Sequence, residues 1–363
     1  METKYILDTY TPVLKAKRGE LGAVFELKEH TKKCIFPMFE IMPIPWNYPQ
    51  DKPAKSIDEH LDGTIEQIGT QWGDLPYLID LPYVSDEDLL EDNNHPLEFL
   101  ADQAIAHTPE MIPVTGLYRS DLYNSALKNV LSKLGTGLAL RLRTEDFEDD
   151  DVEEAIMDTL KFFRAREDSV DLVVDFGSLP QNGYTPYIAS LKLFLRMIPN
   201  IKSWRRLIFI ASSFPDSLQD TPSGTDNKYT RGEWVVWKSI AKTGKVERLP
   251  RFGDYGVVHP QPFEMDPRLM QLGTKIKYTI DKEWFIVKGR GVKKHGYEQF
   301  RKLANKIVNS EHYCGEDFSY GDKYIKDCAD GSVGTGNQTT WVKVAVNHHL
   351  EFVVNQLAIL SDF

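Results

Sequence analysis

The sequence is poor in cysteine and has no long apolar run. It contains three cysteines among 363 residues, an odd number that cannot all pair within one chain. No segment approaches the roughly 20 consecutive apolar residues that a membrane-spanning helix needs. No signal peptide precedes Tyr5. These absences predict a soluble protein of a reducing, cytoplasmic compartment that makes no membrane contact.

Several motifs that would identify a chemistry are also missing. Neither a dinucleotide fingerprint nor a Walker loop occurs, and the glycine-rich run 331–336 does not follow a strand as such loops must. The nucleophile elbow Gly-x-Ser-x-Gly is absent, and Cys314 and Cys328 lack the spacing of a metal site. The formal charge of −11 argues against a general nucleic-acid coat, although it leaves room for a local basic groove.

What the chain does contain is a regular alternation of strand-like and helix-like segments. The predicted strands span 12–20, 34–41, 76–81, 111–117, 137–143, 170–176, 206–212 and 255–259. The helices predicted between them span 21–32, 56–69, 96–107, 121–134, 149–166, 187–198 and 232–242. Seven strand-then-helix units and an eighth strand match the (β/α)₈ barrel, which takes about 250 residues. We therefore predict an α/β, TIM-barrel-like single domain.

The last part of the chain departs from this period. A predicted hairpin is followed by a helix and by a loop rich in glycine, serine and aspartate; these segments span 275–280, 284–288, 297–308 and 315–336. A final helix over 339–360 would close the barrel. The predicted organisation is a barrel core over 1–270, an insertion over 271–338 and a C-terminal helix over 339–363.

Charged side chains recur at the carboxyl ends of the predicted strands, where barrel enzymes place their catalytic groups. They are Lys15, Lys17, Glu40, Asp80, Arg141, Arg143 and Asp175. An ionisable group at the end of an apolar strand is costly unless it is paired or faces a watery cleft. The four cations are candidates for holding an anion. The three carboxylates are candidates for general acid or base, or for binding Mg²⁺.

A purely structural interpretation of these charges is also open. Lys15 could pair with Glu40, and Arg141 with Asp175, in a buried network that fixes strand register and performs no chemistry. The sequence does not separate the two interpretations.

One basic segment, 288–295, stands out against the acidic background. It contains Lys288 and Arg290 among glycines, and aromatic residues flank it on both sides. Cations beside aromatic rings suit phosphate or single-stranded nucleic acid. A solvated turn explains the segment equally well.

Several short segments, spread from one end of the chain to the other, form a recognisable order: 12–20, 37–41, 252–255, 318–322, 336–341 and 348–349. In this order they resemble the Beta protein family of phages and bacterial mobile elements. The resemblance implies a barrel-like protein carried near mobile-element or phage-defence genes, and it brings no established activity. Beside Lys15 and Glu40, it adds candidate ligand-binding positions at Asp254, Tyr255, Ser319, Asp322 and His349. For His349, on an amphipathic helix, a satisfied structural histidine is the alternative.

Two functions follow from these observations. The first is recognition of an anionic ligand, a nucleic acid or a phage component in a phage-related system, with a protein partner encoded nearby. The second is a barrel enzyme, similar to a hydrolase or phosphodiesterase, that acts on a phosphate-bearing small molecule or nucleotide. An enzyme should bury its charged cluster in one deep cleft, whereas a sensor should show a shallow barrel top and an exposed patch.

Overall fold

Eight parallel strands close into a barrel, which confirms the predicted fold class. The computed structural model describes residues 10–148, 151–218, 221–262 and 273–361. Its strands are β1 Tyr10–Lys15, β2 Met38–Glu40, β3 Trp46–Asn47, β4 Lys52–Pro53, β5 Tyr77–Asp80, β6 Met111–Thr115, β7 Leu138–Arg143, β8 Val170–Ser178, β9 Arg206–Ser212, β10 Asp226–Thr230, β11 Arg251–Asp254, β12 Gly273–Ile280 and β13 Glu283–Gly291. Around the barrel the order is β1-β2-β5-β6-β7-β8-β9-β11, and β11 pairs with β1 to close it.

Helices cover the outside of the barrel. They are α1 Arg18–Phe25, α2 Glu29–Cys34, α3 Ile57–Leu61, α4 Thr64–Trp72, α5 Pro96–His107, α6 Asp121–Leu134, α7 Val152–Phe163, α8 Thr185–Met197, α9 Gly232–Thr243, α10 Val292–His295, α11 Gln299–Val308, α12 Tyr320–Asp330 and α13 Gln338–Ser361. Two short 3₁₀ turns, Thr144–Phe147 and Glu167–Ser169, precede α7 and β8. Within the described residues, no helix combines the length and apolar character needed to cross a membrane.

Local sequence signals explain where individual helices begin and end. The Ser120 hydroxyl accepts a hydrogen bond from the Tyr123 amide at the start of α6, and Gly135 ends the helix at φ 70°. Ser56 forms a capping box with Glu59 at the start of α3. The single helix predicted over 56–69 is divided into α3 and α4, because Gly63 between them has a φ of 68°.

The barrel has an apolar interior below a charged mouth. Alternate residues of the strands, with a few from the loops beside them, form one buried interior cluster: Val13, Phe36, Met38, Leu78, Ile112, Val114, Ala139, Val173, Ile208, Ile210 and Tyr255. The opposite faces of the strands pack against the helices in a larger core. At the amino end, the buried Asp171 carboxylate accepts hydrogen bonds from Arg205 and Arg206. The interior of the barrel is thus apolar, and charged side chains lie at both of its ends.

The segment after the barrel strands forms a second, smaller layer. β12 and β13 are an antiparallel hairpin, and β10 joins them to form a three-stranded sheet. This sheet packs with α11, α12 and the start of α13 around its own apolar core. The predicted boundary at residue 270 lies outside the described residues, as does residue 149 at the start of the helix predicted over 149–166.

Besides the divided helix over 56–69, several sequence-based predictions need correction. The strand predicted over 12–20 ends at Lys15, and residues 18–20 belong to α1. The eighth barrel strand is β11, not 255–259, because Gly256 turns the chain at φ 62° immediately after Asp254. The loop predicted over 315–336 contains α12, whose first turn is capped by the Ser319 hydroxyl. The helix predicted over 21–32 is two helices, α1 and α2.

We predict that Gly253→Ala destabilises the barrel, because Gly253 lies where β11 passes closest to its neighbours. A Cβ at this position would lie 2.6 Å from the Thr11 carbonyl oxygen and 2.7 Å from a side-chain carbon of Ile210. Overpacking of this kind costs about 1–3 kcal/mol of unfolding free energy. Chemical denaturation measures the loss. Gly334→Ala is the matched control, since a Cβ there meets no atom within 4 Å. Equal stability of the two variants would contradict the predicted packing.

Candidate functional site

The guanidinium of Arg141 lies at the centre of the barrel mouth and donates all five of its N–H groups to protein acceptors. Nε donates to Asp175 Oδ2 at 2.9 Å, and Nη2 donates to Asp175 Oδ2 at 2.7 Å and to the Tyr255 hydroxyl at 2.6 Å. Nη1 donates to Glu40 Oε1 at 2.9 Å and also to Asp80. Arginine has five such donors, so none remains for an incoming anion. An anion would therefore have to displace one of these acceptors to bind Arg141, and the anion-holding role stays a prediction.

The three carboxylates around Arg141 differ in how fully they are bonded. Asp175 is saturated: its Oδ2 also accepts the Tyr255 hydroxyl at 2.7 Å, and its Oδ1 accepts the Gly177 amide at 2.8 Å. Glu40 is bonded only through Oε1, and among the described residues its buried Oε2 has no hydrogen-bond partner. Glu40 is therefore the carboxylate of this cluster whose buried oxygen can still form a hydrogen bond.

Electrostatics single out the same residue. Burial raises the pKa of Glu40, with the neighbouring Asp80 and Asp175 carboxylates adding to the effect and Arg141 opposing it. One guanidinium faces three carboxylates, so a proton on Glu40 relieves the excess negative charge. Burial also raises the pKa of Tyr255 well above its usual range, which keeps its hydroxyl protonated and donating to Asp175.

These groups lie at the floor of a cleft of about 510 Å³. Its wall includes Tyr83, whose hydroxyl donates to the Pro260 carbonyl oxygen at 3.3 Å. Arg143 lines the same cleft and is exposed at its rim. The cleft is thus polar, with the buried carboxylate cluster at its floor and the Arg143 guanidinium at its rim.

The first strand supplies the other two predicted cations, and they occupy different environments. Lys15 is half-buried at the end of β1, and burial lowers its pKa while the nearby Glu20 and Glu40 raise it. Its backbone amide donates to Glu20 Oε2. Lys17 is exposed and lines a neighbouring cleft that also contains Trp46. Only Lys15 therefore faces the buried part of the mouth.

Asp254 lies on the helix-facing side of β11, away from the mouth. Its Oδ1 accepts the Tyr10 hydroxyl at 2.6 Å and the Gly256 amide at 2.9 Å. Its Oδ2 lies 3.0 Å from His349 Nε2, and His349 Nδ1 lies 2.8 Å from the Thr279 hydroxyl. Since Asp254 and His349 are fully buried, this chain of contacts ties α13 and β12 to the barrel. It supports the structural alternative for His349.

Ser319 and Asp322 belong to a second buried network, within the layer that follows the barrel. The Ser319 hydroxyl and the Tyr278 hydroxyl both donate to Asp322, and His348 Nδ1 lies 2.8 Å from Asp322 Oδ2. The rings of Tyr278 and His348 stack with their centres 3.8 Å apart. All the polar groups of this network are used inside it, so these family positions hold α12, α13 and β12 together.

The basic segment divides into a bound part and an exposed part. The Lys288 amine donates to the carbonyl oxygens of Leu218 and Thr221 at 2.6 and 2.8 Å. Arg290 and the residues 293–295 after it are exposed. The flanking aromatic residues Trp284 and Phe285, in contrast, are buried. Tyr297, on the other side, is half-buried and stacks on the buried Phe300. The segment therefore offers mainly positive charge.

Within the described part of the chain, no group of three or more histidine, cysteine, aspartate or glutamate side chains is arranged to hold a metal ion. In the mouth, the Arg141 guanidinium occupies the space between the three carboxylates that were candidates for Mg²⁺.

Sequence reasoning missed Tyr83, Glu20, Lys275 and Lys277 near the mouth. Glu20 was the last residue of the strand predicted over 12–20, whereas the structure places it in α1. Lys275 and Lys277 alternate with apolar residues along β12. That alternation was a usable signal, because it places both lysines on one face of the hairpin.

We predict that Arg141→Ala destabilises the whole fold, because it leaves three buried carboxylates without their common cation. Removing one partner of a buried ion pair costs roughly 3–5 kcal/mol. Urea denaturation of wild type and variant measures the loss. Arg166→Ala is the matched control: Arg166 also pairs with an aspartate, Asp168, but on the exposed surface. A stable Arg141→Ala variant would show that the cluster does not hold the barrel mouth together.

The chain was compared with solved structures, curated proteins and protein-family models. The chain has 7% identity and a TM-score of 0.39 with a GH138 enzyme targeting pectin rhamnogalacturonan II; the match covers 84% of this chain and 42% of that enzyme. With the Bacillus cereus spore cortex-lytic enzyme SleL it has 8% identity and a TM-score of 0.34, over 93% of this chain and 73% of the other. A search of curated proteins gave no match. The family model described as Beta protein matches residues 10–355, so the chain belongs to the Beta protein family.

Proposed function

We propose that the barrel mouth is the acid–base site of a hydrolase-type enzyme that acts on a phosphate-bearing small molecule or nucleotide. The observation that carries this proposal is the state of Glu40, which is buried, has a raised pKa and keeps Oε2 without a hydrogen-bond partner among the described residues. A buried carboxyl group with a raised pKa keeps its proton to a higher pH than an ordinary glutamate and is suited to donate it to a leaving group.

Asp80 is the carboxylate best placed to act with Glu40. Both residues bond to the same nitrogen of Arg141, and they pair directly in register on the neighbouring strands β2 and β5. Asp80 Oδ1 accepts no hydrogen bond from the described residues, so it is available to activate water or a substrate hydroxyl. Glu40 is then the proton donor and Asp80 the base.

Arg141, Asp175 and Tyr255 act as positioning residues in this scheme. Their hydrogen bonds are satisfied by one another, which fixes the guanidinium and through it the two working carboxylates. Rigid support of this kind keeps catalytic groups within the small tolerance that efficient chemistry requires.

Recognition of an anionic ligand, nucleic acid or phage component is the second candidate function. The observation that favours it is the exposed basic run of Arg290, Lys293 and Lys294 in the acidic chain. Without exposed aromatic rings beside it, this run suits phosphate contacts, which carry no sequence specificity. A phage- or defence-related role, and a partner encoded nearby, belong with this second proposal. A protein with this function alone turns over no substrate.

We predict that Glu40→Gln lowers turnover and leaves the protein folded. Glutamine matches the shape of protonated Glu40 but cannot release a proton, and loss of general acid catalysis lowers kcat by about 10²–10⁴-fold. The measurement is release of the alcohol from a panel of alkyl phosphate monoesters and diesters, whose poor leaving groups depend on protonation.

Glu145→Gln is the control, since Glu145 is an exposed carboxylate in the wall of the same cleft. We expect it to retain wild-type turnover. Equal activity of wild type and Glu40→Gln, or no turnover of any ester by the wild type, would contradict the proposed acid–base role.

A further inference from the structure

The hairpin that follows the barrel presents lysines to the barrel mouth. Along β12, Ile276, Tyr278 and Ile280 pack into the apolar core of the small layer. The alternate residues, Lys275 and Lys277, therefore face the other way, toward the barrel. Neither lysine was among the charged residues that the sequence analysis placed at the strand ends.

Lys277 lies over the carboxyl ends of two barrel strands. Its amine donates to the Val257 carbonyl oxygen, just after β11, at 2.6 Å. It also lies 4.5 Å from the centre of the Phe214 ring, just after β9. These contacts fix the amine above the mouth, and they use only one of its three N–H donors.

Lys15 approaches the same place from β1, which pairs with β11 in the barrel. Burial lowers the pKa of Lys277 to about 7, and the neighbouring Lys275 and Lys15 lower it further, whereas Glu20 raises it. Burial raises the pKa of Glu20 itself to about 7, and the charges of Lys15 and Lys277 oppose that rise. Lys15 and Lys277 therefore share Glu20, and the cluster has more amines than carboxylates.

Lys275 shows this imbalance most clearly. It is half-buried, and its amine makes no hydrogen bond or ion pair with any residue that the structure describes. It lies directly across the hairpin from Lys288. A half-buried ammonium beside other cations is costly unless an anion joins it.

We propose that Lys15, Lys275 and Lys277 form a binding subsite for a phosphate group, built jointly by the barrel and the hairpin. Ammonium groups bind phosphate as compact point charges. Lys15 links this subsite to the carboxylates, since its charge interacts with both Glu20 and Glu40. The subsite supplies a phosphate-holding role without displacing any acceptor of Arg141. It rests on the proposed function for its link to a substrate, but it binds phosphate whether or not Glu40 is catalytic.

The test is isothermal titration of inorganic pyrophosphate into the full chain. We expect Lys275→Gln to weaken binding about tenfold or more and to leave the fold unchanged, because its amine has no partner in the described structure. Lys277→Gln should weaken binding by a similar factor, and circular dichroism checks that this variant is folded. Lys282→Gln, in the exposed turn of the same hairpin, should bind as wild type does.

Two results would overturn the subsite: no binding by the wild type, or equal binding by wild type and Lys275→Gln. Loss of affinity in Lys282→Gln to the same extent would also overturn it, because the effect would then be one of overall charge. Glu40→Gln should bind pyrophosphate as the wild type does. This separates the subsite from the acid–base proposal, which is tested by turnover.

Discussion

The buried guanidinium of Arg141 is the interaction on which the barrel mouth depends. It joins the carboxyl ends of four barrel strands. Arg141 belongs to β7, and its carboxylate partners belong to β2, β5 and β8. Tyr255, just after β11, adds a fifth point of attachment. A planar group with five fixed donors can hold these positions at once, which a lysine could not do. The mouth is therefore rigid because one side chain spans it.

This arrangement gives the mouth two halves of opposite character. The half formed by β2, β5, β7 and β8 carries the carboxylates. Together with Tyr255 they accept every N–H group of the buried Arg141 guanidinium. The half formed by β1 and the hairpin carries Lys15, Lys275 and Lys277 with little counter-charge. A substrate with a phosphate at one end and a bond to be cleaved at the other would match both halves. The hairpin would then be part of the site through Lys275 and Lys277, whereas the sequence pointed to Lys288 and Arg290.

Much of the fold could be predicted from sequence, because alternation of apolar strands and amphipathic helices is a local property. α5 and α6 begin and end at the predicted residues, with Pro96 and Ser120 at their starts. The eighth strand was misplaced because Tyr255 to His259 is largely apolar, whereas β11 has only four residues, with a charged residue at each end. α12 was missed for a similar reason: its flanks are rich in glycine, serine and aspartate, which hid the Ser319 cap.

The site was harder to predict, because its chemistry depends on which partners each charge finds. The sequence showed seven charged groups at strand ends. It did not show that every N–H group of Arg141 donates to a neighbouring side chain. It also gave no sign that the aspartate and histidine of the family pattern, Asp254 and His349, lie behind the strand rather than above it. One residue of alternation separates Asp254 from the inward-facing Tyr255, and only the register of β11 decides between them.

The central claim is that burial keeps Glu40 protonated to a higher pH than an ordinary glutamate. Infrared difference spectroscopy between wild type and Glu40→Gln tests it directly, through the C=O stretching band of a protonated carboxyl group. At about pH 5.5 an ordinary glutamate, with a pKa near 4.3, is ionised. The account predicts that the difference spectrum of wild type minus Glu40→Gln contains such a band at that pH. A difference spectrum without this band would contradict the account.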